Sequence, residues 1–143
     1  MPAAYLSPYF VCNGNCREMM EFYQSCMGGK LTMQTYGDVP PQPDMPSLTP
    51  EMKSRIMHAT LENDQLSFTG CDAHPGKGAP VVGDNIHLSV AGTDETRLRE
   101  MFKKLAVGGE VNMELAPQFW GDIFGMLKDK FGTHWMFNIA GRK

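Results

Sequence analysis

Two stretches of this chain follow one plan. Cys16 to Leu31 reads CREMMEFYQSCMGGKL, and Thr96 to Val111 reads TRLREMFKKLAVGGEV. Each is an amphipathic helix pattern that runs into a Gly-Gly pair and then into an apolar-alternating stretch. Gly28-Gly29 and Gly108-Gly109 mark the same joint twice. In a chain of 143 residues, a repeat this long implies two copies of one strand–helix–strand module, with a ligand-sized space between them. The length suits a single domain, 1–143, of two half-modules spanning 1–72 and 84–143, joined by a Gly/Pro-rich linker at 73–83.

The segments around the repeat fill out the module. Tyr5 to Val11 has strand composition, and Asn13-Gly14-Asn15 offers turn and N-cap chemistry for the helix that follows. On that helix Met19, Met20, Phe22, Tyr23 and Cys26 form one apolar face. Leu31 to Tyr36 reads as the next strand. Gly37 to Pro50 carries five prolines, which argues against helix or central strand and suggests a lid or a surface insertion. Two strands follow, Arg55 to Glu62 and Gln65 to Cys71, joined at Asn63-Asp64. The second copy reads as strand Asn85–Val90, helix Asp94–Ala106 and strands Glu110–Leu115, Asp122–Lys128 and His134–Ile139, with a turn at Asp129–Gly132. The order is βαβββ twice, an α+β fold.

Composition removes several function classes. The net charge is −3 and no Arg/Lys stripe exists, so nothing draws the chain to nucleic acid. No apolar run approaches the roughly 20 residues a membrane span needs. The opening MPAAYLSPYF lacks a charged and then apolar leader pattern, so the expected location is cytoplasmic. There the four cysteines, Cys12, Cys16, Cys26 and Cys71, are expected as free thiols. Cys12 and Cys16 stand four apart, but no second pair completes a metal tetrad. No serine triad or phosphate loop is visible. A thiol nucleophile at Cys12 or Cys71 would need partners that meet it only in space.

The helix signature EFYQSCMGG, the YGD at Tyr36 to Asp38, the IMHATL at Ile56 to Leu61 and the tail FWGDIFGMLKDKFGTHWMFN together resemble the PhnB-like branch of the vicinal oxygen chelate (glyoxalase/bleomycin-resistance/dioxygenase) superfamily. The resemblance covers nearly the whole chain. It implies paired βαβββ modules whose mixed sheets curl into a half-barrel cup, a homodimer, and, in active members, a divalent metal holding a small oxygen-rich ligand. Relatives in this branch also carry a ubiquinone-pathway methyltransferase name. That activity would call for a glycine-rich loop after the first strand, where this chain has Cys12-Asn13-Gly14-Asn15.

The ligand positions implied by the resemblance fall on Pro8, on Ser67 or Thr69, on Asn85 and on Met136. That set suits a divalent ion poorly, since such ions favour imidazole and carboxylate. No cofactor is therefore expected. A displaced metal would have to rest on His58 and His87, and Glu62 or Glu114 could join them only by chance of the fold. Strand alternation supplies an independent set. It puts Ile56, His58 and Thr60 on one face, Asn85, His87 and Ser89 on another, and His134, Met136 and Asn138 on a third. Phe119, Trp120 and Phe124 offer an aromatic wall. The candidate binding residues are thus His58, Thr60, Ser67, Thr69, Asn85, His87, Trp120, Phe124, Met136 and Asn138. For each the alternative is a structural role, and for a histidine that means a ring whose two nitrogens are satisfied. The leading function is the binding of a small, partly apolar, oxygen-bearing molecule. A metal-dependent lyase, isomerase or dioxygenase, or a dimeric regulatory module, are the alternatives.

Overall fold

The computed structural model describes residues 3–40, 47–74 and 77–141. The chain forms two compact units, Met1–Pro80 and Val81–Lys143. The first contains β1 (Tyr9–Cys12), α1 (Cys16–Met27), β2 (Lys30–Thr35), a 3-10 turn at Tyr36–Asp38, the short α2 (Pro50–Lys53), β3 (Ile56–Glu62) and β4 (Ser67–Asp72). The second contains β5 (His87–Gly92), α3 (Glu95–Leu105), β6 (Glu110–Pro117), β7 (Ile123–Lys128) and β8 (His134–Ile139). The sheets run β1-β4-β3-β2 and β5-β8-β7-β6. In each, the first strand of the unit pairs in parallel with the last, and the other neighbours are antiparallel. The fold is α+β, βαβββ twice, and neither sheet is the doubly wound parallel kind.

One face of each sheet is closed by its helix. On α1, Cys16, Met19, Met20, Tyr23, Cys26 and Met27 are buried, while Phe22 is only partly covered. Tyr23 meets Phe10 of β1 at 5.6 Å and Phe68 of β4 edge-on at 5.8 Å. In the second unit Leu98, Met101, Phe102 and Leu105 of α3 close over Trp135, Phe137 and Ile139 of β8. Phe102 stands edge-on to Phe137 at 5.4 Å. Burying each such side chain contributes about 2 kcal/mol.

The repeated Gly-Gly joint has two separate causes. The first glycine of each pair has positive φ, 74° at Gly28 and 79° at Gly108, which a side chain disfavours. The second is held by space. A Cβ on Gly29 would come within 2.8 Å of the Glu62 carbonyl at the end of β3, and one on Gly109 would overlap the Lys128 carbonyl at the end of β7. In both units the helix-to-strand turn lies flat against the strand beside it.

Several expectations shift. β1 begins at Tyr9 rather than Tyr5, β4 runs on to Asp72, β5 covers His87–Gly92 rather than Asn85–Val90, and β6 extends to Pro117. Ile56 leaves its expected polar face and is 1% exposed. Gln34 pairs with His58 but Thr35 with Ile56, so Met57 is a bulge and the alternation flips there. Asn15 occupies the N-cap of α1 yet makes no side-chain cap bond. The first turn is capped from β4 instead, by the Asp72 carboxylate accepting from the Cys16 N–H at 3.0 Å. The same carboxylate accepts from the Ile56 N–H at 2.8 Å. The turn expected at Asn63-Asp64 is built by the Asn63 side chain, which accepts from the N–H groups of Gln65 and Leu66. The segment Gly37–Pro50 contains part of the 3-10 turn and, at its end, Pro50 opens α2 over a Thr49 cap. The remainder of the lid expectation lies on 41–46, outside the described residues, as 75–76 of the linker do.

The Asp38 carboxylate accepts from the Thr35 N–H at 3.0 Å, and this bond, then the one from the Thr35 side chain, holds its pKa below the ordinary carboxylate range. A depressed folded pKa gives stability that is present above the unfolded pKa, near 4, and lost as pH falls through the folded value. The melting-temperature gap between the wild type and Asp38→Asn is therefore expected to be constant above about pH 5 and to close below about pH 4. A pH series of thermal melts checks it, and a gap that persists at pH 2 removes the assignment.

Candidate functional site

The face of each sheet turned away from its helix carries the chemistry. In the first unit it presents Tyr9 and Val11 from β1, Ser67, Thr69 and Cys71 from β4, and His58 and Thr60 from β3. Thr60 and Thr69 are cross-strand partners, as are Tyr9 and Thr69. The His58 Nε2 and Thr60 hydroxyl are 3.1 Å apart, and the Tyr9 and His58 rings lie 6.3 Å centre to centre. The Thr69 hydroxyl donates to the Pro8 carbonyl at 3.2 Å, so Pro8 contributes its backbone here. Ser67 pairs with Glu62, at the end of the face remote from His58. Partial burial, then a hydrogen bond with Cys71, pushes the Tyr9 hydroxyl up to about 12. His74 is exposed and stands edge-on to Tyr36, apart from this face.

In the second unit the corresponding face carries His87 and Ser89 from β5, His134, Met136 and Asn138 from β8, and Phe124 and Met126 from β7. His87 pairs with His134, Ser89 with Met136, and Phe124 with Asn138. Trp120 joins them from the loop before β7. Its ring stands edge-on to Phe124 at 5.8 Å, and its indole N–H donates to Asn138 Oδ1 at 3.4 Å. Asn138 Nδ2 in turn donates to Asp122 at 2.8 Å, and the other oxygen of Asp122 accepts from the Gly141 N–H at 2.9 Å. Asn138 therefore brackets the aromatic pair, with one of its two amide N–H groups committed to Asp122. Phe119 packs edge-on to Trp120 but is 98% exposed, so it caps the wall from outside. Asn85 precedes β5 and is exposed, away from the alternation that was expected to carry it.

The histidines in this unit do not converge on a common point. The rings of His87 and His134 are stacked, 4.7 Å apart with planes 19° from parallel. His87 Nε2 lies 3.2 Å from the Asp84 carbonyl, which can only accept, so this nitrogen carries the proton. Lone pairs in the planes of stacked rings run side by side. Among the described residues, no three His, Cys, Asp or Glu side chains come together as metal ligands.

Sequence reasoning named Cys71 as a thiol without its place on this face, and it missed Tyr9, Asp122 and the pairing of His134 with His87. Cys71 was within reach, since it follows Ser67 and Thr69 at two-residue intervals on one strand. Asp122 was not, because nothing local ties it to Asn138.

These two units, each a βαβββ sheet with one helix-covered face, define the class. Residues 5–137 match the Glyoxalase/Bleomycin resistance protein/Dioxygenase superfamily, and the chain belongs to that family. It is similar to Protein YjdN of Escherichia coli (strain K12), with 29% identity over 141 residues, covering 94% of this chain and 95% of that one. It is also similar to protein PA1353 from Pseudomonas aeruginosa, whose crystal structure superposes with a TM-score of 0.82 at 33% identity, covering 98% of this chain and 100% of the other. The PhnB protein from Bacillus cereus shares the fold, with a TM-score of 0.69 at 21% identity over 96% of this chain and all of the other. Among the described residues, no helix is long and apolar enough to cross a membrane.

Proposed function

We propose that this protein binds a small, partly aromatic, oxygen-bearing molecule on the helix-free sheet faces, as a homodimer, without the divalent metal its superfamily is known for. The observation that carries the reading is the bracketed wall of the second unit. Trp120 is 48% exposed yet fixed at both ends, by its hydrogen bond to Asn138 and by the edge of Phe124. A half-exposed indole held in one orientation offers a flat ligand a stacking surface without the entropy cost of ordering it. Met126 and Met136, paired across β7 and β8, continue that surface with side chains that adapt to different shapes. The hydroxyl of Ser89 beside Met136 supplies a donor for an oxygenated group.

Thermal-shift screening against small aromatic and oxygenated compounds tests this, since a ligand at 100 times its Kd stabilises the folded state by about 2.7 kcal/mol. For a hit, Trp120→Ala is expected to weaken binding roughly five-fold, about 1 kcal/mol, while Trp120→Phe keeps most of it. An unchanged affinity in Trp120→Ala would remove the wall from the site. Stoichiometric, tightly held metal in the purified protein, lost in His58→Ala, would overturn the metal-free reading in favour of a metal enzyme with rearranged ligands.

A further inference from the structure

Glu51 and Arg55 stand four residues apart, the spacing at which opposite charges pair along a helix. On α3 both such pairs close, Glu95 with Arg99 at 2.9 Å and Glu100 with Lys104 at 3.1 Å. Glu51 and Arg55 do not, because α2 stops at Lys53 and Arg55 leads into β3 instead. Among the described residues neither side chain has an ion pair or a hydrogen bond. Both line one cavity of about 490 Å³ at the end of the first sheet, where β1 and β4 finish and β3 begins. The half-buried guanidinium lies against bare backbone of the β1–α1 turn, since a Cβ on Gly14 would meet its Nη2 at 3.4 Å and its Cζ at 3.6 Å. The Asp72 carboxylate ties this turn to the start of β3, and both its oxygens are engaged by the Cys16 and Ile56 N–H groups. Thr49 accepts from the Met52 N–H at 3.2 Å and so fixes the turn that carries Glu51. Met52, Ala73 and Ala79 supply apolar lining. The second unit has a cavity of about 420 Å³ in the corresponding place, lined by Thr93, Ile123 and Gly141 among others. There Asp122 precedes β7 as Arg55 precedes β3, and its carboxylate already holds Asn138 and the Gly141 N–H.

We infer that the cavity of the first unit binds a small amino acid with an apolar side chain, such as leucine, with Arg55 taking its carboxylate and Glu51 its ammonium group. A guanidinium presents two parallel N–H groups that match the two oxygens of a carboxylate. Glu51 faces the same space, so it opposes a plain anion such as phosphate and favours a ligand that brings a positive charge of its own. Neither residue has to break an ion pair to receive the ligand. The volume lies within the range of ordinary small-molecule sites, about 300–1,000 Å³. This cavity shares no residue with the helix-free faces described above, so either reading can fail without the other.

The test is isothermal titration calorimetry of the full chain with L-leucine, 4-methylpentanoate and 3-methylbutylamine, the last two being leucine without its amino group and without its carboxylate. L-Leucine is expected to bind one per chain and about ten-fold more tightly than either, since each missing group forfeits a charge-assisted hydrogen bond. Arg55→Gln should weaken L-leucine about ten-fold and leave 3-methylbutylamine unchanged. Glu51→Gln should weaken L-leucine by a similar factor and leave 4-methylpentanoate unchanged. Urea midpoints of both variants control for folding, and the three-ligand comparison on the wild type stands without them. No binding of L-leucine at about 10 mM, equal affinity for L-leucine and 4-methylpentanoate, or wild-type affinity in Arg55→Gln overturns the inference. Inorganic phosphate bound more tightly than L-leucine would also overturn it and mark the cavity as a plain anion site.

Discussion

Gly109→Ala is expected to destabilise the protein by about 3 kcal/mol, although it adds one methyl group. The added carbon would overlap the Lys128 carbonyl and press on the Asp129 backbone, and neither can rotate away as a side-chain end would. Relief means moving β6 off the end of β7, where Glu110 pairs with Lys128. The helix-ending partner gives the contrast. A Cβ on Gly28 would meet nothing within 4 Å, so Gly28→Ala bears only the conformational cost of positive φ, about 1 kcal/mol. Gly29→Ala carries both burdens, with φ at 108° and the Glu62 carbonyl close by, and belongs with Gly109→Ala. Urea denaturation of the three variants reads the ranking. Equal losses at Gly28 and Gly109 would mean that the joint is conserved in plan for its turn alone and not for the strand it touches.

Asp129→Ala should cost more, about 4 kcal/mol, because one buried carboxylate serves three donors. Asp129 is 1% exposed. One of its oxygens accepts from the Phe131 N–H at 2.9 Å and the Thr133 N–H at 3.1 Å, and the other accepts from the Trp135 indole N–H at 2.9 Å. The side chain thus shapes the turn between β7 and β8 and anchors the largest buried residue of the second unit. Alanine leaves these donors unpaired in the interior, each a penalty of about 1–3 kcal/mol before relaxation. Asparagine does not rescue the site. Either way round, its amide nitrogen faces an N–H donor, so Asp129→Asn should still lose roughly 2 kcal/mol. Trp135 fluorescence followed through urea unfolding measures both variants, and a wild-type midpoint for Asp129→Asn would refute the account.

What could be read from the chain and what could not divide along a physical line. The module order, the Gly-Gly joints and most face assignments follow from periodicities of two and 3.6 residues, which are local properties. His58, Thr60, His87, Met136 and Asn138 fell on the expected faces for that reason. Ile56 did not, because a bulge at Met57 depends on how β2 lies against β3. Asp72 stood at the edge of the first module beside the linker, with no role assigned, yet it caps α1 from 56 residues away along the chain. Asn138 looked like a ligand group, yet Asp122 and Trp120 occupy its side chain. In each case a polar side chain found its partner across the fold, and no local pattern records such a meeting.

The parallel pairing of first and last strands has a consequence for how each unit comes into being. In both sheets the strand made last, β4 or β8, lies inside the sheet, between the first strand and the third. While a nascent chain emerges, β1 has no strand beside it until β4 arrives, and β5 waits in the same way for β8. No partial product of either unit is a smaller finished sheet. Each assembles by inserting its final piece between its first strand and the hairpin already formed, so its first strand stands unpaired until the insertion is made.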